Sequence, residues 1–373
     1  MFIIATKKQF VLRLTHTDLF VNVIVPSGLR LFSLPAVWQH ARLINRLMSY
    51  TVTEESFDSL NRYWSGSTLK VDWPSVFVLP SWLQTWWRSF GEGAAMCLRS
   101  IQGQDDILGI APLITRGETA QFMGDTDVCD YQDFIIAPGR ERDFFTVLLD
   151  HLGENGTRQL DLQHVRPEST VLTHLAGIAK DRAYEVVIDR DDISLEVDLP
   201  ATWDDYLSLL NKKQRHEVRR KLRRLEEAGS IEHRCIDAGD EIGEYMETFL
   251  SLFPVSREDK AEFMTPQMES FFRDMTKAMA EIGLLRFGII ELDGKIVAMT
   301  IGFDYNNAHY LYNNAYNPEF DYYSVGLLCK VLCIRESIEK GKQRWDFLKG
   351  AETYKYHLGG REVPLYRCRI TLT

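Results

Sequence analysis

Apolar residues recur every three or four positions in some stretches of this chain and every second position in others, and the two periods divide it into elements. Trp82, Leu83, Trp86, Trp87 and Phe90 predict a helix after Ser81. Two strands are expected at 95–101 and 107–115, joined by a polar turn. Shorter strands follow at 119–123 and 133–137. A helix over 140–153, a strand at 159–163, a helix near 168–179 and strands at 184–188 and 193–198 complete the first half. From Ser230 the order starts again. A strand at 230–236 precedes helices at 240–253 and 265–281. The strands 284–291 and 295–304 flank Leu292-Asp293-Gly294, and Asp-Gly is a strong hairpin signal. A strand at 308–315, a helix at 324–340 and strands at 344–348 and 365–372 follow.

Two local signatures fall at matching places in the halves. The apolar run 107–114 corresponds to 296–303, and Gln159-Leu-Asp161-Leu corresponds to Arg344-Trp-Asp346-Phe. The offsets, 54 and 50 residues, point to duplication of one α/β unit. Between the halves lies a helical joint, 202–229. Thr202 with Asp205, and Asn211 with Gln214, resemble capping boxes. Leu207, Leu210, Val218, Leu222 and Leu225 mark the buried side, and Gly229 ends it. The other side holds Lys212, Lys213, Arg215, Arg219, Arg220, Lys221, Arg223 and Arg224 against Glu217 alone. Such a run either pins the helix to acidic surfaces of both halves or binds phosphate.

Composition narrows the class. The chain has 373 residues, 45% hydrophobic and 26% charged, with a net charge of −10. That is globular, with room for two domains or one large one. The acidic balance excludes broad nucleic-acid or anionic-membrane binding as the main activity. Six cysteines without a Cys-x-x-Cys read as reduced thiols of a cytoplasmic protein. The most apolar early stretch, 19–29, is far short of the ~20 residues that span a bilayer. Residues 1–47 carry six Lys and Arg against Asp18 and show no clean period. They are expected to be an extension outside the fold, with the working start at Met48; a targeting or docking segment is the other reading. The expected organisation is 1–47 extension, 48–200 first domain, 201–229 basic linker helix and 230–373 second domain.

Three features carry candidate chemistry. Tyr323-Ser324-Val325-Gly326 opens a long helix. Ser324 is expected to cap it and Gly326 to allow close approach, so that free N–H groups and the helix dipole can hold a pyrophosphate. The stretch 345–356 delivers acidic, phenolic and ammonium groups at the end of a strand. There Asp346, alternating with Trp345 and Phe347, is expected to be structural and Lys355 functional. The loop 124–133 holds Asp125, Asp127, Asp130 and Asp133, which suit an amine or a sugar. No metal is expected. The loop lacks a calcium pattern, and Cys329 and Cys333, though on one helix face, have no further Cys or His at metal spacing and read as core thiols. Nucleophile-elbow, P-loop and dinucleotide fingerprints do not occur.

The run Leu210-Asn-Lys-Lys-Gln-Arg-His-Glu-Val-Arg-Arg-Lys-Leu-Arg-Arg-Leu-Glu226 resembles the linker of a bacterial GNAT-superfamily group, the cellulose-biosynthesis-associated acetyltransferases. These are similar to Fem-type peptidoglycan-bridge transferases, which carry two GNAT domains in tandem. Tyr323-Ser-x-Gly326, Trp345-Asp-Phe-Leu-Lys-Gly350 and Tyr354-Lys355 resemble the group's later motifs. Residues 82–90, Ile110-Ala-Pro-Leu113 and Asp130-Tyr131 resemble its earlier ones. The likeness covers 52–373. It implies an α/β (α+β) fold of two tandem GNAT-like domains, each a mixed sheet flanked by helices. It also implies an acyl-CoA donor, acetyl-CoA for example, with its pyrophosphate at Ser324, Val325 and Gly326, assisted by Arg219 and Arg220. Lys355 would then stabilise the oxyanion, Tyr354 protonate the leaving thiolate, and Asp130 with Tyr131 receive the acceptor amine. The acceptor would be an amino sugar, an amino acid or a cell-envelope precursor. The sequence departs from the fuller GNAT glycine loop, of which only Gly326 remains. A Fem-type transfer from aminoacyl-tRNA is the alternative, and a non-catalytic nucleotide or RNA binder using 219–224 is a further one. The oligomeric state is left open.

Overall fold

The computed structural model describes residues 50–66, 70–104, 106–124, 127–237 and 242–372, with the backbone of three earlier strands. Those strands, Leu12–Arg13 (β1), Phe20–Val25 (β2) and Gly28–Ser33 (β3), pair in a sheet of their own. The rest of the expected extension, its Met48 start and the side chain of Asp125 lie outside the described residues.

One mixed sheet of thirteen strands runs through the remainder, flanked by helices. The first half contributes Thr51–Glu54 (β4), Ala95–Gln102 (β5), Ile107–Arg116 (β6), Thr119–Phe122 (β7), the short Ile135–Ile136 (β8) and Gln159–Val165 (β9). After the long Glu185–Asp198 (β10), the second half contributes Ile231–Ile236 (β11), Leu285–Leu292 (β12), Lys295–Tyr305 (β13), Ala308–Tyr316 (β14) and Arg344–Lys349 (β15). Arg361–Thr371 (β16) ends the chain. The order is β11-β12-β13-β14-β15-β10-β16-β9-β7-β6-β5-β4. In each half four antiparallel strands lead to a fifth that runs parallel to the fourth: β9 beside β7, and β15 beside β14. The duplication read from sequence is therefore a repeat of topology. The matching apolar runs are β6 and β13, buried over nearly their whole lengths because helices cover both faces.

The helices of the first half are Phe57–Ser65 (α1), Pro80–Phe90 (α2), Glu141–Glu154 (α3) and Ala176–Asp181 (α4). The expected linker helix is two helices, Trp203–Leu209 (α5) and Lys212–Glu226 (α6). Both expected caps form. Thr202 Oγ1 accepts from the Asp205 N–H at 3.2 Å, and Asn211 Oδ1 from that of Gln214 at 2.9 Å. The second cap itself breaks the helix, since a residue that caps must leave helical geometry, and Leu210 before it is extended. The second half adds Ile242–Ser256 (α7), Glu258–Phe263 (α8), Pro266–Glu281 (α9), Val325–Glu339 (α10) and Thr353–His357 (α11).

Two features fuse the halves. Strand β10, expected as two strands, is one; its end pairs with β15 and residues 185–196 with β16, which pairs in turn with β9. The core is shared as well. Trp82 of α2 packs edge-on against Phe303 and Tyr312 of the second half, with ring centroids 5.6 and 5.4 Å apart.

Candidate functional site

Parallel strands joined by a helix need not stay paired to their ends. Strands β14 and β15 are in register only over Ala308–Arg344, His309–Trp345 and Tyr310–Asp346. Past those residues they part, and β14 carries a bulge at Tyr312 that turns the strand further. Leu311, Tyr312, Asn313 and Asn314 on one side and Phe347, Leu348 and Lys349 on the other line a cavity of about 340 Å³. A second cavity of about 290 Å³ lies beside it, at the start of α10. Arg257, Lys260, Asn314 and Tyr354 line both.

The second cavity is cationic. Lys221 of α6, Arg257, Lys260 and Lys330 face it, with Asp321 the only acid. Ser324 and Gly326 lie on its wall, where the first backbone N–H groups of α10 have no intrahelical acceptors. Ser324 does not cap through its side chain. Its backbone is left-handed (φ 56°), and its hydroxyl accepts a long bond from Arg224, whose guanidinium also covers the Tyr322 ring. Gly326 admits the Tyr316 ring, which a Cβ would strike. Val325 points its side chain into the core, so only its backbone can serve a ligand. Arg219 and Arg220 are exposed and do not line the cavity; Arg220 forks onto Glu217. The basic helix reaches the site one turn on, through Lys221 and Arg224.

Lys330 is buried, donating to the Gly326 carbonyl at 2.8 Å and lying 4.7 Å from the Tyr354 ring centroid. Burial pulls its ammonium down to about 8. Burial, with Lys330 and Arg257 nearby, pulls Lys260 down to about 7; its ammonium donates to the Asn314 carbonyl. Sequence reasoning missed both. A single lysine inside the apolar run Val325–Ile334, four residues after Gly326, was the signal available for Lys330.

The larger cavity mixes signs. Asp127, Asp130, Asp259 and Glu352 face Arg257, Lys260, Lys349 and Lys355. Asp130 enters from the first half. Burial raises its carboxyl to about 6, against the opposing pull of Lys349 and Lys355. Tyr131, expected beside it in substrate binding, lines neither large cavity. Its hydroxyl donates to the buried Asp346 carboxylate, and Arg166 covers its ring. Asp346 is structural, as its alternation implied, also accepting from the Leu348 N–H at 2.8 Å. Burial first and Glu352 second raise the Tyr354 hydroxyl, so it stands protonated at neutral pH.

Lys355 differs from the mobile loop lysine expected. It is 2% exposed. Its ammonium donates to the carbonyls of Leu348, Lys349 and Gly350 and pairs with Glu352 at 2.9 Å. Leu348 is left-handed (φ 61°), a conformation costly for a leucine, and Gly350 follows at φ 103°. The lysine pins this strained turn, so its charge acts on Asp130 from a fixed place.

With this geometry in view, residues 212–356 match the family described as an acetyltransferase (GNAT) domain. That stretch has the fold of a GNAT acetyltransferase domain. Among solved structures, FemX shares 12% identity over 85% of this chain and 96% of its own, with a TM-score of 0.58. A conserved protein of unknown function from Bacteroides thetaiotaomicron VPI-5482 shares 14% over 86% and 99%, with a TM-score of 0.56. At these identities the likeness is one of fold. No curated protein matches the chain significantly. The two GNAT-like halves differ at the wedge. Between β7 and β9 the corresponding space is about 40 Å³, filled by Cys129, Tyr131 and Gln132 of the chain's own loop. Among the described residues only the second half keeps a wide wedge, and the loop that lines the first carries Asp130 into it.

Proposed function

We propose that the chain is an N-acyltransferase that takes an acyl group from an acyl-CoA, acetyl-CoA in the simplest case, to an amine of an amino sugar, amino acid or cell-envelope precursor. The observation that carries this reading is the position of Tyr354, on the wall of both a cationic cavity and a mixed-charge one. The pyrophosphate of the donor suits Lys221, Arg257, Lys330 and the N–H groups opening α10. The acceptor ammonium suits Asp130, which takes its proton at a carboxyl poised near neutrality. The freed amine attacks the thioester carbonyl carbon, and the carbon–sulfur bond breaks as the amide forms. The departing thiolate takes the Tyr354 proton. Lys260 supplies positive charge between the cavities as the oxyanion develops. Lys355 holds the turn that carries Lys349.

Thermal shift with CoA and acetyl-CoA, followed by CoA release with a panel of amines, tests this. Stabilisation by both, and release that depends on an amine, is the expected result. No response to either ligand overturns it. The remaining exposed cations of α6 support a second reading, transfer from aminoacyl-tRNA; retention of charged tRNA together with indifference to CoA would favour it.

A further inference from the structure

Away from the wedge, α10 lies across the second-half sheet and meets its edge strand, β11, which pairs on one side only. His233 and Cys235 stand two apart on that strand and so share a face. Cys333 and Glu336 stand three apart on α10 and share a face of the helix. The fold brings these residues together from about a hundred positions away. His233 Nε2 is 3.6 Å from Cys333 Sγ, and the two sulfurs are 4.0 Å apart. All three donor atoms lie within 4.8 Å of one another.

We propose that His233, Cys235 and Cys333 bind a zinc ion that clasps the edge strand β11 to helix α10. Metal–sulfur and metal–nitrogen bonds of about 2.3 and 2.0 Å at a tetrahedral angle place two sulfurs about 3.8 Å apart, and sulfur and nitrogen about 3.6 Å apart. Two of the three donor pairs already hold nearly that spacing, and the third lies within 4.8 Å. Two thiolates and an imidazole suit zinc over magnesium or calcium, which take oxygen. Space for the cluster is provided on β12. Gly288 is paired opposite Cys235, and a Cβ there would overlap Cys333 Sγ. Glu336 Oε2 lies 3.9 Å from His233 Nδ1, the ring nitrogen turned from the thiols, and Lys340 holds that carboxylate at 2.6 Å. A carboxylate there fixes the tautomer that leaves Nε2 free to ligate. His233 and Cys235 are half-buried, so water can complete the tetrahedron. Cys329, one turn earlier, touches Cys333 but gives its thiol proton to the Gly288 carbonyl at 3.5 Å and is not one of the three close donors.

Cobalt(II) and zinc titrations of the full, reduced and chelator-stripped chain test the proposal. The expected result is thiolate-to-cobalt charge-transfer bands with tetrahedral visible bands, saturating at one cobalt per chain and lost when zinc is added. Zinc should also raise the melting temperature. Cys235→Ser should weaken zinc at least about tenfold, and Cys235→Ser with Cys333→Ser should abolish the bands. Glu336→Gln should weaken binding about 10- to 100-fold while keeping the bands. Because Cys333 is buried, His233→Ala on the half-buried strand, checked by circular dichroism, repeats the test without disturbing the core. Cobalt bound without charge-transfer bands, or equally by His233→Ala and the double serine variant, would overturn the site. So would a thiol count two short of the six without reductant, lost when Cys235 is replaced, which would mean a Cys235–Cys333 disulfide instead.

Discussion

At the residue scale, the proposed work of the site divides among Tyr354, Asp130, the pair Lys260 and Lys330, and Lys355. Tyr354→Phe keeps the ring between the cavities and removes one proton. Turnover should fall about 100-fold or more, as expected for loss of a general acid, with the melting temperature nearly unchanged. Asp130 sets a pH limb. Its carboxyl, raised to about 6, is protonated below that pH and accepts protons above it. Activity should therefore climb as pH rises through about 6, and Asp130→Asn should remove that limb from the rate profile. Donor affinity should fall on the other side, as Lys260 and Lys330 lose charge between about 7 and about 8. Lys355→Met should act on stability. Three carbonyls and Glu352 lose their donor, at a cost of about 1–3 kcal/mol, and the melting temperature should drop visibly in a thermal scan. The sequence marked Lys355 as a catalytic candidate, but its burial, which makes it the pin of a turn, is invisible without the turn it fills. Asp346 was legible because alternation alone puts it on a buried face. Lys260 and Arg257 were not, since α8 is too short and polar to carry a period.

At the scale of elements, the caps of α5 and α6 were written locally and were readable. The wedge was not. It depends on where two parallel strands stop pairing, and neither strand's alternation records its partner. The basic helix lies between these cases: its charge was plain, but which cations face inward depends on how α6 is rotated against α10. Lys221→Ala with Arg224→Ala should weaken CoA binding, more at low salt than at high, because screening shortens the reach of the charges. Arg219→Ala with Arg220→Ala should leave it unchanged. Isothermal titration at two ionic strengths separates the pairs.

On the whole-molecule scale, the duplication was legible because both halves repeat the same order of elements. The placing of β16 was not. A strand with half-buried alternation fits any sheet that offers a free edge, and this one lies between β10 and β9, its Arg367 paired with Asp161 at 2.6 Å. Ending the chain after Gly360 should therefore expose β9 and β10 together. The shortened protein should be recovered insoluble, whereas a change confined to the second wedge should leave solubility intact; fractionation after expression checks both.

The last of the described strands to be made, β16, is thus an interior one. Until β16 is made, the first half exists as a sheet with an open seam, its buried face waiting for a piece of chain some two hundred residues away along the message. Such a nascent chain offers two unpaired edges to any neighbour. Its yield in a cell should depend on how well chaperones shield that seam until β16 fills it, more than on the stability of the finished fold.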